Sequence, residues 1–302
     1  MSLNKRLIRT NDTGGGYTPT VNPDPSSLTL QSTGSIPGGT YRFVSFVIDR
    51  TNGGKFFYIR NGGVDLGRVS VATMTGYDVS TAVLTQDSAN FSLGYYALVM
   101  GGSSDGTKIS TTGYQNSNNN QFISTYSIGT PFTAPTTFVN SASRPYPAST
   151  ALEFSSDGFK MYHANSSTGE LYEYDLSTPF DPATGTLNTI ITYNSISTET
   201  FPTYPAVGWY VRQARWTSDG TTFYSLMEYF NGSTFVNMTL KAYNASTAFS
   251  ISSLTERPTS TNLYISQIDG VPASGFNLTD DGHFLFGRQM SNGGNQDLYM
   301  FA

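Results

Sequence analysis

SSDGTKIS at 103–110, SSDGFKMY at 155–162, TSDGTTFY at 217–224 and TDDGHFLF at 279–286 repeat one phrase, a polar Asp-Gly turn running into an apolar strand. A degenerate copy, TNGGKFFY, stands first at 51–58. The turn glycines are Gly53, Gly106, Gly158, Gly220 and Gly282. Short strands at a fixed period of roughly 50–60 residues point to a propeller or similar array. A second phrase follows each of the first four turns: YDVSTAV (77–83), YSIGTPF (126–132), YDLSTPF (174–180) and YNASTAF (243–249). Turns and corners together divide each repeat into four strands, the make-up of a propeller blade.

The fifth repeat stops early. Leu298–Phe301 matches Leu171–Tyr174, but Ala302 follows before any corner or outer strand. An open ring would leave an apolar sheet face uncovered. DPSSLTL at 24–30 matches DPATGTL at 181–187, which begins the outer strand of the third repeat. Residues 28–32 are therefore expected to complete the last blade and latch the two ends of the ring. The expected fold is all-β: a five-bladed β-propeller over 24–302, its last blade closed by an N-terminal strand and preceded by an extended N-terminal arm, 1–23.

Composition agrees. Tyr and Phe number 20 each and Gly 30, and a chain of 302 residues is within the range of one all-β domain. Charged residues make up only 12% and the net charge is −5, so a general nucleic-acid interface, which needs a basic face, is not expected. No apolar run approaches the ~20 residues of a membrane span. Residues 1–20 lack the apolar core of a signal peptide. Cysteine is absent, so strand pairing and aromatic packing must carry the fold.

Residues 1–23 lie outside the repeat. MSLNKRLIRT interleaves Lys5, Arg6 and Arg9 with Leu3, Leu7 and Ile8, and a linker-like NDTGGGYTPTVNP follows. These six side chains are the expected anchor for a partner protein, apolar burial giving affinity and charge giving register; the competing reading docks the arm on its own propeller. NKRLIRT resembles the leader segments of structural and appendage proteins of marine tailed phages, cyanophages included. SSDGFKMYHANSSTGELYEYDLSTPFDPATG (155–185) resembles propeller repeats of the YVTN type found in such virion proteins. The resemblance implies a virion component, present in many symmetric copies. Its N-terminus would attach to capsid, neck, tail or fibre proteins, with its propeller displayed outward.

Two faces are available to a ligand. Asp-Gly turns and corners share one face. Links between second and third strands share the other with links between blades. The longer repeats put their extra residues there, in SISTETFPTYPAVG (195–208) and RPTSTNLYISQIDG (257–270). Tyr204, Trp209, Tyr210 and Tyr264 are the candidate platforms for a host-surface glycan, because a flat ring stacks on a sugar while neighbouring amides bond its hydroxyls. The competing reading packs such aromatics between blades.

Catalysis is not expected. Glycoside cleavage normally needs two facing carboxyl groups. The expected innermost strands carry one, Glu153, besides Asp49 at a strand end, with Arg212 and Arg215 nearby. His163 and His283 fall in different blades without metal-ligand spacing and read as ordinary strand residues. The recurring Asp105, Asp157, Asp219 and Asp281 are explained by turn geometry, since Asp bonds its own backbone and Gly takes positive φ. No cofactor, metal or phosphate motif appears.

Overall fold

A computed structural model of the chain describes residues 23–36, 45–50, 53–62, 65–87, 96–114, 121–133, 137–144, 149–165, 168–198, 207–233, 235–258, 263–264, 273–288 and 296–302. Five antiparallel sheets form the ring of a five-bladed β-propeller. An N-terminal strand, β1 (Leu30–Ile36), comes first. Blade 1 is β2 (Phe46–Ile48), β3 (Lys55–Gly62), β4 (Asp65–Thr75) and β5 (Asp78–Asp87). Blade 2 is β6 (Tyr96–Gly102), β7 (Lys108–Tyr114), β8 (Gln121–Ser127) and β9 (Thr137–Arg144). Blade 3 is β10 (Ser149–Phe154), β11 (Lys160–Asn165), β12 (Glu170–Leu176) and β13 (Gly185–Thr192), followed by the one-turn α1 (Tyr193–Ile196).

Blade 4 is β14 (Gly208–Trp216), β15 (Thr222–Phe230), β16 (Phe235–Ala245), β17 (Leu254–Glu256) and β18 (Leu263–Tyr264). Blade 5 is β19 (Ala273–Leu278), β20 (Phe284–Arg288) and β21 (Gln296–Phe301), with β1 as its outer strand. The closure expected from 28–32 is therefore present, two residues later and longer. β1 runs antiparallel to β21 from Leu30↔Phe301 to Ile36↔Gln296.

The sequence match between 24–30 and 181–187 is structural as well. Asp24 caps a 3-10 turn at Pro25–Ser27, as Asp181 caps the one at Pro182–Thr184. Leu30 faces Phe301 as Leu187 faces Tyr174. Blade 4 differs from expectation. Part of the segment assigned to an inter-blade link, Leu263–Tyr264, returns to the β16 edge beyond β17. The outer strand of that blade is interrupted rather than single.

Five apolar clusters, one per blade junction, hold the ring. Phe46, Ile48 and Phe56 meet Leu285, Leu298 and Met300 between blades 1 and 5. Val47 and Phe57 meet Ile109 and Phe132 between blades 1 and 2. Val99 and Ile123 meet Leu152 and Met161 at the next junction. Tyr162 and Leu171 meet Trp216, Phe223 and Tyr243 between blades 3 and 4. Tyr224 and Leu240 meet Phe276, Phe284 and Leu28 between blades 4 and 5. Each fully buried side chain of this kind contributes about 2 kcal/mol by leaving water. Sheet faces that alternate inward on both sides suit β-branched and aromatic residues, which explains the abundance of Phe and Tyr.

The innermost strands β6, β10, β14 and β19 share a further feature. Each slips register by one residue, at Leu98, Thr150, Arg212 and Ser274. A bulge at the same repeat position bends these four inner strands alike and raises their twist.

Candidate functional site

The turn face is built from one local device. In blade 3, Ser155 Oγ donates to Asp157 Oδ1 at 2.6 Å, and the same oxygen accepts from Phe159 N at 3.0 Å. Ser103 and Thr107 repeat this around Asp105, and Thr217 and Thr221 around Asp219. Burial works against ionisation of Asp105 and Asp219, but these bonds outweigh it and hold both carboxyls below their usual range. The recurring aspartates are thus structural, as the turn argument expected.

The turn glycine has a partner in its own corner. Phe132, Phe180 and Phe249 adopt left-handed φ of 52°, 56° and 57°. That conformation is costly for a bulky residue. It is held because Phe180 N donates to Gly158 O at 2.9 Å while the ring covers Gly158. A Cβ on Gly158 would lie 2.3 Å from that ring, and φ there is +77°. Tyr77 takes the place of the phenylalanine over Gly53.

At the ring centre, five blades converge on one buried polar network. Arg215 is 1% exposed. Its Nη1 lies 3.1 Å from Glu153 Oε2 and donates to Leu152 O at 2.9 Å. Its Nη2 donates to Met100 O at 3.0 Å and Phe46 O at 3.3 Å. Gln213 Nε2 donates to Ser45 Oγ at 2.5 Å, and its Oε1 accepts from Phe276 N. Asn277 Nδ2 donates to Phe46 O at 3.0 Å. Arg50 crosses above: Nη2 donates to Trp216 O at 2.8 Å, Nε lies 3.3 Å from Asp280 Oδ1, and Nη1 lies 3.8 Å from Glu153 Oε1.

Both Glu153 oxygens therefore face a guanidinium. Burial pushes its carboxyl above the usual range, with Arg215 and Arg50 opposing. Burial likewise works against the charge of Arg215, but a guanidinium keeps its proton in proteins. The inner strands also approach closely: a Cβ on Gly101 would lie 2.8 Å from Leu152 O. Chemically the centre is a plug that joins strands, with its carboxylate spent on ion pairing. Sequence reading found Glu153 and Arg215 but missed Arg50, Ser45, Gln213 and Asn277. The available signal was a column of polar residues, since Glu153, Arg215 and Asn277 occupy equivalent positions before their turn glycines.

A second cluster joins blades 5 and 1. The blade 5 turn closes from Thr279 N to His283 O, one residue shorter than Ser155 N to Lys160 O. This places His283 in the turn rather than in a strand, a correction to expectation. Its ring stacks on Tyr77 at 4.1 Å and 22°, and its Nδ1 lies 3.0 Å from Asp281 Oδ1. Burial, then the Asp281 charge, pushes the Tyr77 phenol well above its usual range, so it stays protonated and bonds Asp281. Burial opposes ionisation of Asp281, while bonds from His283, Thr279 and Tyr77 hold its carboxyl low. His163, in contrast, is a buried strand residue packed near Tyr172.

Of the four expected ligand platforms, Trp209 and Tyr210 have described side chains. Tyr210 is 2% exposed and meets Phe230 edge-on at 6.3 Å, so its ring packs within the protein itself. Trp209 is half-buried and meets Tyr229 edge-on at 5.3 Å. Tyr264 is placed on the β16 edge opposite Thr239. Tyr204 lies outside the described residues, as do the anchor residues Leu3, Lys5, Arg6, Leu7, Ile8 and Arg9. Trp216 is fully buried, in contact with Tyr162 and Phe223. Among the described residues no group of three or more His, Cys, Asp or Glu is placed to hold a metal ion. Among the same residues no helix is long and apolar enough to cross a membrane.

Neither a protein-family model nor a curated protein matches the sequence. Solved structures resemble it in fold. A Bacteroides uniformis protein assigned as a 6-phosphogluconolactonase is 11% identical, with 82% of this chain and 64% of that one covered and a TM-score of 0.42. This chain therefore spans less than two thirds of that protein's length. The periplasmic gluconolactonase PpgL of Pseudomonas aeruginosa is 12% identical over 86% of this chain and 70% of its own, with a TM-score of 0.45. A luciferin-regenerating enzyme is 12% identical over 86% and 77%, with a TM-score of 0.46. At such identity the likeness concerns the fold alone.

Proposed function

We propose that this chain is a non-enzymatic structural protein of a tailed-phage virion. Its N-terminal arm anchors it to the particle, and its propeller is displayed outward for decoration, assembly contacts or host-surface adhesion. The observation that carries the non-enzymatic part is the ring centre. Glu153, the carboxylate of the innermost strands, is paired to Arg215 and Arg50 inside a network that touches all five blades. A carboxyl committed in this way is poorly placed to give or take a substrate proton.

The anchoring part rests on the basic, apolar composition of 1–10 and on its likeness to virion leaders. The first described residue, Pro23, is held at the seam of the ring by Tyr224 and Arg257. The test is capture of virion proteins from a phage lysate by residues 1–25 fused to an inert carrier. Retention of one capsid, neck, tail or fibre component supports the proposal. An empty capture, with the propeller alone binding host envelope, overturns the anchor.

The alternative is a glycan-binding adhesin propeller. Among its four named platforms Trp209 is the one whose described side chain is part-exposed. A glycan array blank at high protein concentration would remove that alternative.

A further inference from the structure

The connectivity of β1 sets it apart from every other outer strand. β13 is no better buried, but a corner joins it covalently to β12, its partner in the sheet. β1 has no such tether to β21. Its next strand in the chain, β2, belongs to blade 1, and residues 37–44 lie between them. Blade 5 therefore holds its outer strand by noncovalent contacts alone. They are definite contacts. Tyr224 OH donates to Pro23 O at 2.7 Å, with Arg257 Nη1 at 3.3 Å from the same oxygen. Thr29 and Ala302 exchange backbone hydrogen bonds at 2.9 and 3.1 Å. Val79 N donates to Ser32 Oγ at 3.1 Å, and Gly34 lies so close to β5 that a Cβ would overlap Val79 O. Leu28 and Ile36 fill the apolar clusters at either side of blade 5.

We infer that segment 23–36 is an exchangeable strap, and that a second copy of this chain is the partner that receives it. All the contacts named above are made between the segment and a socket on blades 1, 4 and 5. They are the same whether the segment comes from its own chain or from a neighbour. Exchange leaves the interface energy unchanged and alters only the connection 37–44 and the association entropy. The eight residues 37–44 can span at most roughly 25–30 Å, which sets how close two rings must come for exchange. Reciprocal exchange between two copies gives a closed, two-fold dimer.

Concentration decides between the two forms. A short connection keeps the chain's own strap at an effective concentration of order 1 mM beside its socket. Dilute protein therefore closes on itself, and exchange takes over when copies are crowded to comparable concentration during folding. The inference does not depend on the virion reading, because it concerns the socket and strap only.

The absence of native cysteine makes a clean test. Ser35→Cys with Asp297→Cys places a pair across β1 and β21, whose residues face each other. The full-length variant is refolded at about 1 µM and at about 1 mM, bracketing that effective concentration, then oxidised and run on a non-reducing gel. A control variant carries Asp175→Cys with Thr186→Cys, the facing pair on the corner-tethered strands of blade 3. The expected result is an internal crosslink for both variants when dilute. When concentrated, covalent dimer should rise at least tenfold for the strap pair, with none for the control. Mixing copies of two sizes must yield a hybrid dimer. Internal crosslinks alone at both concentrations would overturn the inference, as would equal dimer formation by the control pair.

Discussion

Gly158 shows how one residue type is dictated by two constraints at once. Its φ of +77° is costly for any L side chain, and the Phe180 ring occupies the space a Cβ would take. Gly158→Ala is expected to lower stability by about 2 kcal/mol, read as a shift in the urea midpoint; an unchanged midpoint would show that the corner yields. Arg215 is the other decisive residue. Arg215→Met leaves the Glu153 carboxylate buried beside a single distant arginine, and loss of about 3–5 kcal/mol is expected. Adding Glu153→Leu should recover most of that loss in a double-mutant cycle. Additive losses would mean that the two side chains act separately. The Asp-Gly dipeptide was readable at this scale because turn chemistry is local. The Arg215 network was not, because its partners Ser45, Met100 and Phe276 lie on blades far away in sequence.

Among elements, β1 carries the closure. Tyr224→Phe removes the hydroxyl that holds Pro23 O and should cost about 1 kcal/mol. The loss should appear first as faster hydrogen exchange of the Leu30–Ile36 amides, with blades 2 and 3 unaffected. Uniform acceleration over all blades would place the effect elsewhere. This closure was legible beforehand, since DPSSLTL repeats DPATGTL and the repeat predicts the partner. Two features escaped for physical reasons. The blade 5 turn keeps its Asp-Gly but closes one residue sooner, so His283 aligns by eye with a strand while standing in the turn. The β17–β18 interruption carries ordinary loop residues, and only the pairing of Leu263 with Leu240 reveals that the strand resumes. The ligand platforms were chosen by residue type and by their place in or beside the inter-blade links. Tyr210 is buried because an inner-strand position turns an amphipathic ring towards the core as readily as towards solvent.

For the whole molecule, protonation and attachment are the two global handles. Asp105, Asp219 and Asp281 are held below their unfolded values. Their contribution to stability is complete above the ordinary carboxylate range and is lost as pH falls through the depressed values. Glu153 runs the other way, because burial raises it and protonation relieves the cost. Glu153 takes its proton above the ordinary carboxylate range, so below that range the lowered aspartates govern and the urea midpoint should fall below about pH 4. The triple variant Asp105→Asn, Asp219→Asn, Asp281→Asn should show a shallower fall, and an identical profile would remove these turns from the acid response.

Attachment is the more direct test of what the molecule is for. The measurement is incorporation into phage particles of protein lacking residues 2–12, alongside its thermal melt. Loss from particles with an unchanged melt is the predicted result, since the ring and its strap are built from residue 23 onward. Normal incorporation of the shortened protein would contradict the account.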